Sequence, residues 1–202
     1  MKRISYCLFE TPLGSCGIAW SEHGDFSSAP AVAFFQLPEA SPEQTESRIA
    51  QISGARKPSA PASQIADIIE RVRRHLQGKA EDFRDVPLDL ERAGPFARQV
   101  YEAARNIPAG RTKTYGEIAK ALNQPAAAQA VGQALGRNPI ALIIPCHRVL
   151  SAGGKAGGFS AHGGQSTKAR MLAIEGVTLE SVPIRKSVKY ARQHRIPETI
   201  LP

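Results

Sequence analysis

A cysteine and a histidine stand side by side in the second half of the chain, at Cys146 and His147. A cysteine reacts as the thiolate, so a nucleophilic cysteine needs a proton acceptor or a positive charge nearby. His147 can accept the proton, and Arg148 can supply the charge. Pro145 fixes its own φ and lacks an N–H, which suits irregular backbone at a pocket wall. Residues 144–150 therefore predict a reactive thiol; the alternative is a buried apolar strand that contains a small cysteine.

A carboxylate that could assist the histidine is Glu175, at the C-terminal end of a helix predicted over residues 166–175. A negative charge at that end opposes the helix dipole, so Glu175 does not stabilise the helix. Pairing with a histidine would explain the position. The alternative is an exposed and weakly unfavourable glutamate.

Charge is distributed unevenly along the 202 residues, whose formal net charge is +8. Residues 1–90 carry 10 Lys and Arg against 12 Asp and Glu, whereas residues 91–202 carry 16 against 6. Because the basic half also holds the Cys-His pair, we expect a polyanionic partner, first nucleic acid and second an acidic small substrate.

Composition and cysteine count are those of a cytoplasmic globular protein. Hydrophobic residues make up 42% of the chain, with no long apolar run and no signal-peptide pattern. Three widely spaced cysteines do not form a disulfide framework. Metal binding by Cys7 and Cys16 with His23 or His75 fits no standard ligand spacing, so we expect no metal, no cofactor and two core cysteines.

Residues 1–90 are predicted to form a small α/β domain. Strands at 4–10 and 17–20 flank a turn at 11–14, and 31–37 can pair with them. A polar helix is expected at 42–52. Ser63 should cap an amphipathic helix that ends at Gly78, with one apolar stripe: Ile65, Ile68, Ile69, Val72 and Leu76.

Residues 91–180 are predicted to be mainly helical, and residues 181–202 form a basic tail that either lies on DNA or is solvated. A helix should begin at Pro95, and the capping box at 114–117 should begin a second. Asn123 to Pro125 breaks that helix, and another runs from Ala126 to Gly136. Two short helices across a tight turn, in the most basic part of the chain, predict a helix-turn-helix.

The second helix of this pair has an uncharged outer face with little bulk, formed by Gln129, Ala130, Gly132 and Gln133. A helix that reads the major groove usually projects long side chains toward the bases. Small residues instead let the backbone approach a narrow surface such as a minor groove. Tight packing between helices also selects small residues and stays an alternative.

Several of these features together resemble the O6-alkylguanine-DNA alkyltransferases, over roughly residues 94–178. The motifs are Pro-Cys-His-Arg-Val at 145–149, Asn-Pro at 138–139, Gly-Phe-Ser at 158–160 and Ile-Glu-Gly at 174–176. The resemblance implies an α/β N-terminal domain of ribonuclease-H-like topology and a C-terminal domain with a winged helix-turn-helix. It also implies a monomer that binds double-stranded DNA.

The implied reaction is stoichiometric DNA repair. O6-alkylguanine, with O4-alkylthymine as a second lesion, is flipped out of the duplex, and Cys146 takes the alkyl group irreversibly. His147 would accept the thiol proton through a bound water, since adjacent residues on extended backbone point to opposite faces. Glu175 would orient His147.

The resemblance also implies contacts to the flipped base and its phosphate. Tyr115 would turn the phosphate, Val149 would line the guanine edge, and Ser160 would lie at the guanine O6. Phe159 would stack on the base, and Asn138 would hold the turn that carries the cysteine.

Two positions depart from the family pattern. Gln129 occupies the position of an arginine that inserts into the base stack, so charge and cation–π stacking are lost. We therefore expect weaker duplex binding or slower base flipping with intact chemistry. Phe159 replaces a tyrosine and lacks its hydroxyl. The zinc site of some animal relatives is not matched.

Three other functions compete with this interpretation. A cysteine hydrolase could use a Cys-His-Glu set, but would not explain the helix-turn-helix or the basic half. A non-catalytic lesion sensor is the second, although this chain keeps Cys146 and both of its partners. A transcriptional regulator is the third, and the uncharged second helix argues against it.

Overall fold

An antiparallel sheet forms the centre of the N-terminal half. The structure is a computed structural model that describes residues 3–22, 29–55 and 57–179. The sheet has three strands in chain order: β1 (Arg3–Thr11), β2 (Gly14–Glu22) and β3 (Ala31–Gln36). Gly14 has a φ of 123°, which favours glycine, and Thr11 Oγ1 donates to the Gly14 carbonyl at 2.7 Å. The predicted hairpin and third strand are confirmed.

Two helices cover opposite faces of this sheet because side chains alternate along each strand. Helix α1 (Pro42–Ser53) packs against the face that carries Tyr6, and α2 (Ser63–Leu76) packs against the face that carries Phe9. All five residues of the predicted α2 stripe are buried. The predicted Ser63 cap is wrong: Ala62 is the N-cap and forms no side-chain cap, and the helix relies on its buried face.

The C-terminal half consists of short helices and one pair of two-residue strands. In chain order these are α3 (Pro95–Arg105), β4 (Lys113–Thr114), α4 (Tyr115–Ala121), α5 (Ala128–Gly136), β5 (Val149–Leu150) and α6 (Gln165–Ile174). The capping box is present, because Thr114 and Glu117 each accept a backbone N–H from the other. The second helix of the predicted pair starts later than Ala126, because Pro125–Ala127 form a 3₁₀ turn.

One hydrophobic core extends through both halves. It contains Phe9 and Ile65 from the N-terminal half and Val100, Ile118 and Val149 from the C-terminal half. The division at residue 90 stays a prediction, but packed side chains cross it. Within the described part of the chain, no helix is both long and apolar enough to span a membrane.

Candidate active site

Cys146 begins a single 3₁₀ turn, Cys146–Arg148, which leads directly into β5. The Cys146 amide donates to the Ile144 carbonyl at 2.8 Å, and the Arg148 amide donates to the Pro145 carbonyl at 3.0 Å. The expected extended backbone at this point is wrong, because these amides bond within the segment instead of with a neighbouring strand. The cysteine therefore lies on a tight and locally bonded turn.

Asn138 holds the chain that approaches this turn. Its Nδ2 donates to the Ile144 carbonyl at 2.9 Å, and its Oδ1 accepts the Ile140 amide at 3.0 Å. Between these residues, Leu142 has a φ of 70° and is buried. A non-glycine residue in that conformation is strained, so the surrounding packing must hold it.

His147 and Glu175 form a buried pair behind the cysteine. Nε2 of His147 lies 2.8 Å from Oε1 of Glu175, whose side chain is 1% exposed. A carboxylate only accepts hydrogen bonds, so Nε2 carries the hydrogen and Nδ1 keeps a lone pair. Among the described residues, the buried Nδ1 has no hydrogen-bond partner. The predicted pairing of Glu175 with a histidine is confirmed, and Nδ1 can accept a proton.

Arg148 binds Glu175 and does not act directly on the thiol as the sequence suggested. Its Nε lies 3.1 and 3.0 Å from the two carboxylate oxygens, and Nη2 lies 2.8 Å from Oε1. Nη1 donates to the Ile107 carbonyl at 2.6 Å. Because a buried charge needs a partner, this contact lets Glu175 remain ionised inside the protein.

A second histidine reaches the same carboxylate from the N-terminal half. His75 lies in the last turn of α2, and its Nε2 is 3.0 Å from Oε1 of Glu175. The Glu175 carboxylate therefore joins two histidines and one arginine.

Burial and hydrogen bonding together determine the protonation state of this site. Burial raises the pKa of the Cys146 thiol, although the Asn138 amide and a nearby ammonium group act the other way. Burial also lowers the pKa of His147, and Glu175 only partly offsets that effect. Burial alone would raise the pKa of Glu175, but hydrogen bonds from both histidines and the arginine hold it far below its usual range. At rest the site holds a thiol, a neutral imidazole and a carboxylate.

The nearby ammonium group belongs to Lys168 on α6, a lysine with no exposed surface. Its Nζ donates to the Val149 carbonyl at 2.6 Å and lies 5.9 Å from the centre of the Tyr115 ring. Burial lowers the pKa of Lys168 to about 8. The lysine thus provides a positive charge on the thiol side of the site.

Tyr115 lies between α5 and the glycine-rich loop at residues 151–164. The β4–β5 pairing sets Thr114 opposite Leu150, so the start of α4 lies beside the cysteine segment. A Cβ on Gly132 of α5 would lie 3.8 Å from two carbons of the Tyr115 ring, and one on Gly157 would lie 3.2 Å from the Tyr115 hydroxyl. Both glycines therefore leave room for the ring.

The remaining predicted DNA contacts lie at different depths. Gln129 is exposed in the first turn of α5, and Ser160 is exposed in the glycine-rich loop. Phe159 is partly buried and packs against the main core. Val149 is fully buried. The structure thus binds His147, the neighbour of Cys146, to a buried carboxylate, whereas Gln129 and Ser160 lie at the surface.

Two large surface cavities are present in the described part of the chain. One of about 750 Å³ lies between the sheet and α5, and is lined by Phe34, Tyr101 and Arg137. Another of about 450 Å³ is lined by residues that include Pro145 and Arg148 of the cysteine segment. Neither is lined by Cys146, so the protonation network and not cavity size identifies the site. The described residues hold no cluster of His, Cys, Asp or Glu fit for a metal; His23 is outside them.

Sequence reasoning missed two residues of the network, His75 and Lys168. His75 follows Val72 by three residues, so it continues the apolar face of α2, where a histidine has a buried environment. Lys168 precedes the buried Leu172 by four residues on α6. A polar residue at an apolar helix position was the available signal in both cases.

The comparisons with known proteins agree on one family. A family model described as "6-O-methylguanine DNA methyltransferase, DNA binding domain" matches residues 95–177. The methylated-DNA--protein-cysteine methyltransferase of Mycolicibacterium paratuberculosis is 44% identical over 111 residues, which cover 55% of this chain and 65% of that protein. The chain therefore spans slightly less than two thirds of that relative.

Other relatives match over most of their length. The methylated-DNA--protein-cysteine methyltransferase of Methanosarcina acetivorans is 35% identical over 177 residues, which cover 85% of this chain and 97% of that protein. Crystallised Mycobacterium tuberculosis OGT in complex with DNA is 31% identical, with a TM-score of 0.66 over 85% of this chain and 92% of that one. The mixed α/β fold is the fold of these proteins. The chain belongs to the methylated-DNA--protein-cysteine methyltransferase family.

Proposed function

We propose that this protein repairs DNA by transferring the alkyl group of O6-alkylguanine to Sγ of Cys146, in one irreversible turnover. O4-alkylthymine is a second substrate of the same reaction. The observation that carries the proposal is the buried His147, whose Nε2 is held by Glu175 while Nδ1 keeps a free lone pair. The bacterial and archaeal relatives described above support the reaction class through their names.

The geometry supports the following sequence of steps. Nδ1 of His147 takes the thiol proton through a bridging water, and Glu175 stabilises the imidazolium that forms. The Cys146 thiolate attacks the alkyl carbon in line, so the S–C bond forms as the C–O6 bond breaks. The released electron pair goes to the guanine, and the proton taken from the thiol balances its charge. The thioether is stable, so each molecule acts once.

DNA is bound through α4 and α5, as a helix-turn-helix in the minor groove, with residues 149–164 as the wing. The exposed Gln129 and Gln133 and the small Gly132 let the α5 backbone approach a narrow groove. The target nucleotide leaves the stack, because its O6 substituent is otherwise out of reach. Tyr115 acts on its phosphate, Phe159 stacks on the base, and Ser160 contacts the O6.

In this proposal the chain acts as a cytoplasmic monomer. A ribonuclease-H-like domain comprises residues 1–90, the alkyltransferase domain comprises residues 91–180, and residues 181–202 form a basic tail. The predicted tail lies outside the described residues.

Mass spectrometry after incubation with duplex DNA containing O6-methylguanine tests the proposal. A stable gain of one methyl group on Cys146, absent in Cys146→Ser, is the expected result. Binding to the lesion without an adduct would identify a lesion sensor instead. An adduct that water removes, with repeated turnover, would identify a cysteine hydrolase.

A further inference from the structure

His75 connects the N-terminal half of the chain to the catalytic carboxylate. It lies 100 residues before Glu175 in sequence, and its side chain is 1% exposed. Its Nε2 and that of His147 lie 3.0 and 2.8 Å from the same oxygen, Oε1 of Glu175. A residue from outside the C-terminal half therefore belongs to the protonation network.

The orientation of the His75 ring is determined by its surroundings. The backbone N–H of Glu81 donates to Nδ1 of His75 at 3.2 Å, so in the neutral ring Nε2 carries the hydrogen. Phe83 packs edge-on against the ring, with centroids 5.6 Å apart and planes at 70°. The only hydrogen of the neutral imidazole that can be donated from nitrogen therefore faces Glu175.

Other ionisable groups surround this histidine. The titratable groups that face it come from the cysteine turn and the end of α6: His147, Arg148 and Glu175. The Glu81 carboxylate pairs instead with Arg74 at 2.6 Å and Arg71 at 3.6 Å. Because Arg148 already balances Glu175, His147 and His75 share the hydrogen-bonding capacity of one carboxylate oxygen.

We propose that His75 is a positioning residue of the alkyl transfer. It holds the Glu175 carboxylate against His147, and it limits how strongly that carboxylate stabilises protonated His147. This inference rests on the proposed roles of Cys146 and His147. An oxygen that accepts several hydrogen bonds offers less of its negative charge to each donor. His75 thus helps His147 to remain neutral at rest and to give up the proton after transfer.

Two variants separate this role from a structural one. His75→Leu removes the donor, and His75→Gln keeps an N–H donor and an acceptor on a side chain of similar reach. Single-turnover methyl transfer from O6-methylguanine duplex to Cys146 is measured across the acidic and neutral pH range. In His75→Leu, we expect the plateau rate to fall about tenfold, the scale for a supporting partner of an acid–base group.

The pH profile is the decisive readout. We expect the acid limb of His75→Leu to move to higher pH, because His147 protonates more easily when it no longer shares Oε1. The Gln variant should restore both the plateau and the limb. A Leu variant that is less stable but keeps the wild-type plateau and acid limb overturns the proposal, since a structural role alone would give that result.

Histidine ¹⁵N NMR of the wild type gives a test that needs neither folding of the Leu variant nor alkyl transfer. We expect His75 to be the Nε2–H tautomer. We expect the titration of His147 in the Gln variant to differ only slightly from that in the wild type. The Nδ1–H tautomer at His75 overturns the inference. The wild type could show the expected His75 tautomer and yet take no methyl group on Cys146. That result would contradict the proposed function and leave the hydrogen bond from His75 to Glu175 intact.

Discussion

At the scale of single residues, Cys146 differs from cysteines that are activated by a lowered pKa. Cys146 is 9% exposed, and burial raises the pKa of its thiol, so most molecules hold the neutral thiol at rest. Reactivity must then come from transfer of the proton inside the site as the substrate reacts. His147 suits this task, because burial lowers its pKa and keeps Nδ1 free of a proton near neutral pH.

Lys168 should increase the reactivity of this thiol through its charge. We expect Lys168→Met to slow alkylation of Cys146 by free O6-benzylguanine by roughly fivefold, the effect of about 1 kcal/mol from one nearby charge. Because the pKa of Lys168 is about 8, the difference from wild type should shrink above that pH, where the lysine loses its charge. Lys155→Met, at an exposed lysine in the glycine-rich loop, is the matched control. Equal rates in the Lys168 variant and wild type would exclude an electrostatic role.

At the scale of elements, the space around Tyr115 depends on which segment approaches it. A Cβ on Gly132 of α5 would meet the ring at ordinary van der Waals distance. A Cβ on Gly157 of the glycine-rich loop would lie closer to the ring, and Gly157 has a φ of 67°. The loop therefore has far less tolerance for a side chain than the helix.

Alanine substitutions at these two glycines should have opposite effects. A Cβ at Gly157 would lie 2.8 Å from Ser151 Oγ, so Gly157→Ala should cost roughly 1–3 kcal/mol and displace Tyr115. Gly132→Ala should be neutral, or stabilise by up to about 1 kcal/mol, because alanine favours helix. Urea unfolding measures stability, and single-turnover methyl transfer measures the site. Similar losses in both variants would contradict this account.

Position 129 on α5 should affect duplex DNA and not the chemistry. We expect Gln129→Arg to speed methyl transfer from duplex DNA by roughly fivefold, the effect of about 1 kcal/mol from one added cation contact. The rate with free O6-benzylguanine should stay unchanged. Gln133→Arg, one turn later on the same exposed face, controls for added charge. If Gln129→Arg leaves both rates at the wild-type level, position 129 does not limit delivery of the base.

At the scale of the whole molecule, hydrogen bonds from the N-terminal half reach two segments of the site. The Phe35 amide of β3 donates to the Pro139 carbonyl at 2.9 Å, on the segment that leads to the cysteine. His75 holds Glu175 on the other side. Because one core extends through both halves, loosening of either half should disturb the network.

Folding stability should fall as the solution becomes acidic. The folded-state pKa of His147 lies below the ordinary value of 6.5, so the unfolded chain binds more protons below about that pH. The pKa of Glu175 is also lowered, so its contribution is present above the ordinary value of 4.5 and is lost as pH falls toward its folded pKa. Both effects act in the same direction.

The free energy of unfolding in urea, measured from neutral pH downward, tests this expectation. We expect it to decrease below about pH 6.5, with a shallower decrease in His147→Gln, which has no imidazole to protonate. An equally steep decrease in that variant would assign the acid sensitivity to other groups.

Local residue patterns were sufficient to predict much of the chain. Alternating apolar residues predicted β1 and β2, the helical stripe predicted α2, and the capping box predicted the start of α4. These features arise from interactions between residues close in sequence, so they can be recognised in the sequence. The helix cap predicted at Ser63 and the extended backbone predicted at Cys146 are wrong, because packing in the folded protein decides the local geometry at both positions.

The sequence by itself determined the reactive set: a cysteine beside a histidine, with a glutamate whose position opposes its own helix dipole. Only the tertiary structure decided how that glutamate is held. His75 meets Glu175 because helices α2 and α6 pack together, and Arg148 meets it because the cysteine turn packs against α6. His75 and Arg148 lie 73 residues apart, so no local pattern reveals that they share a partner. Burial, which sets the pKa values of Cys146 and His147, likewise depends on the whole fold.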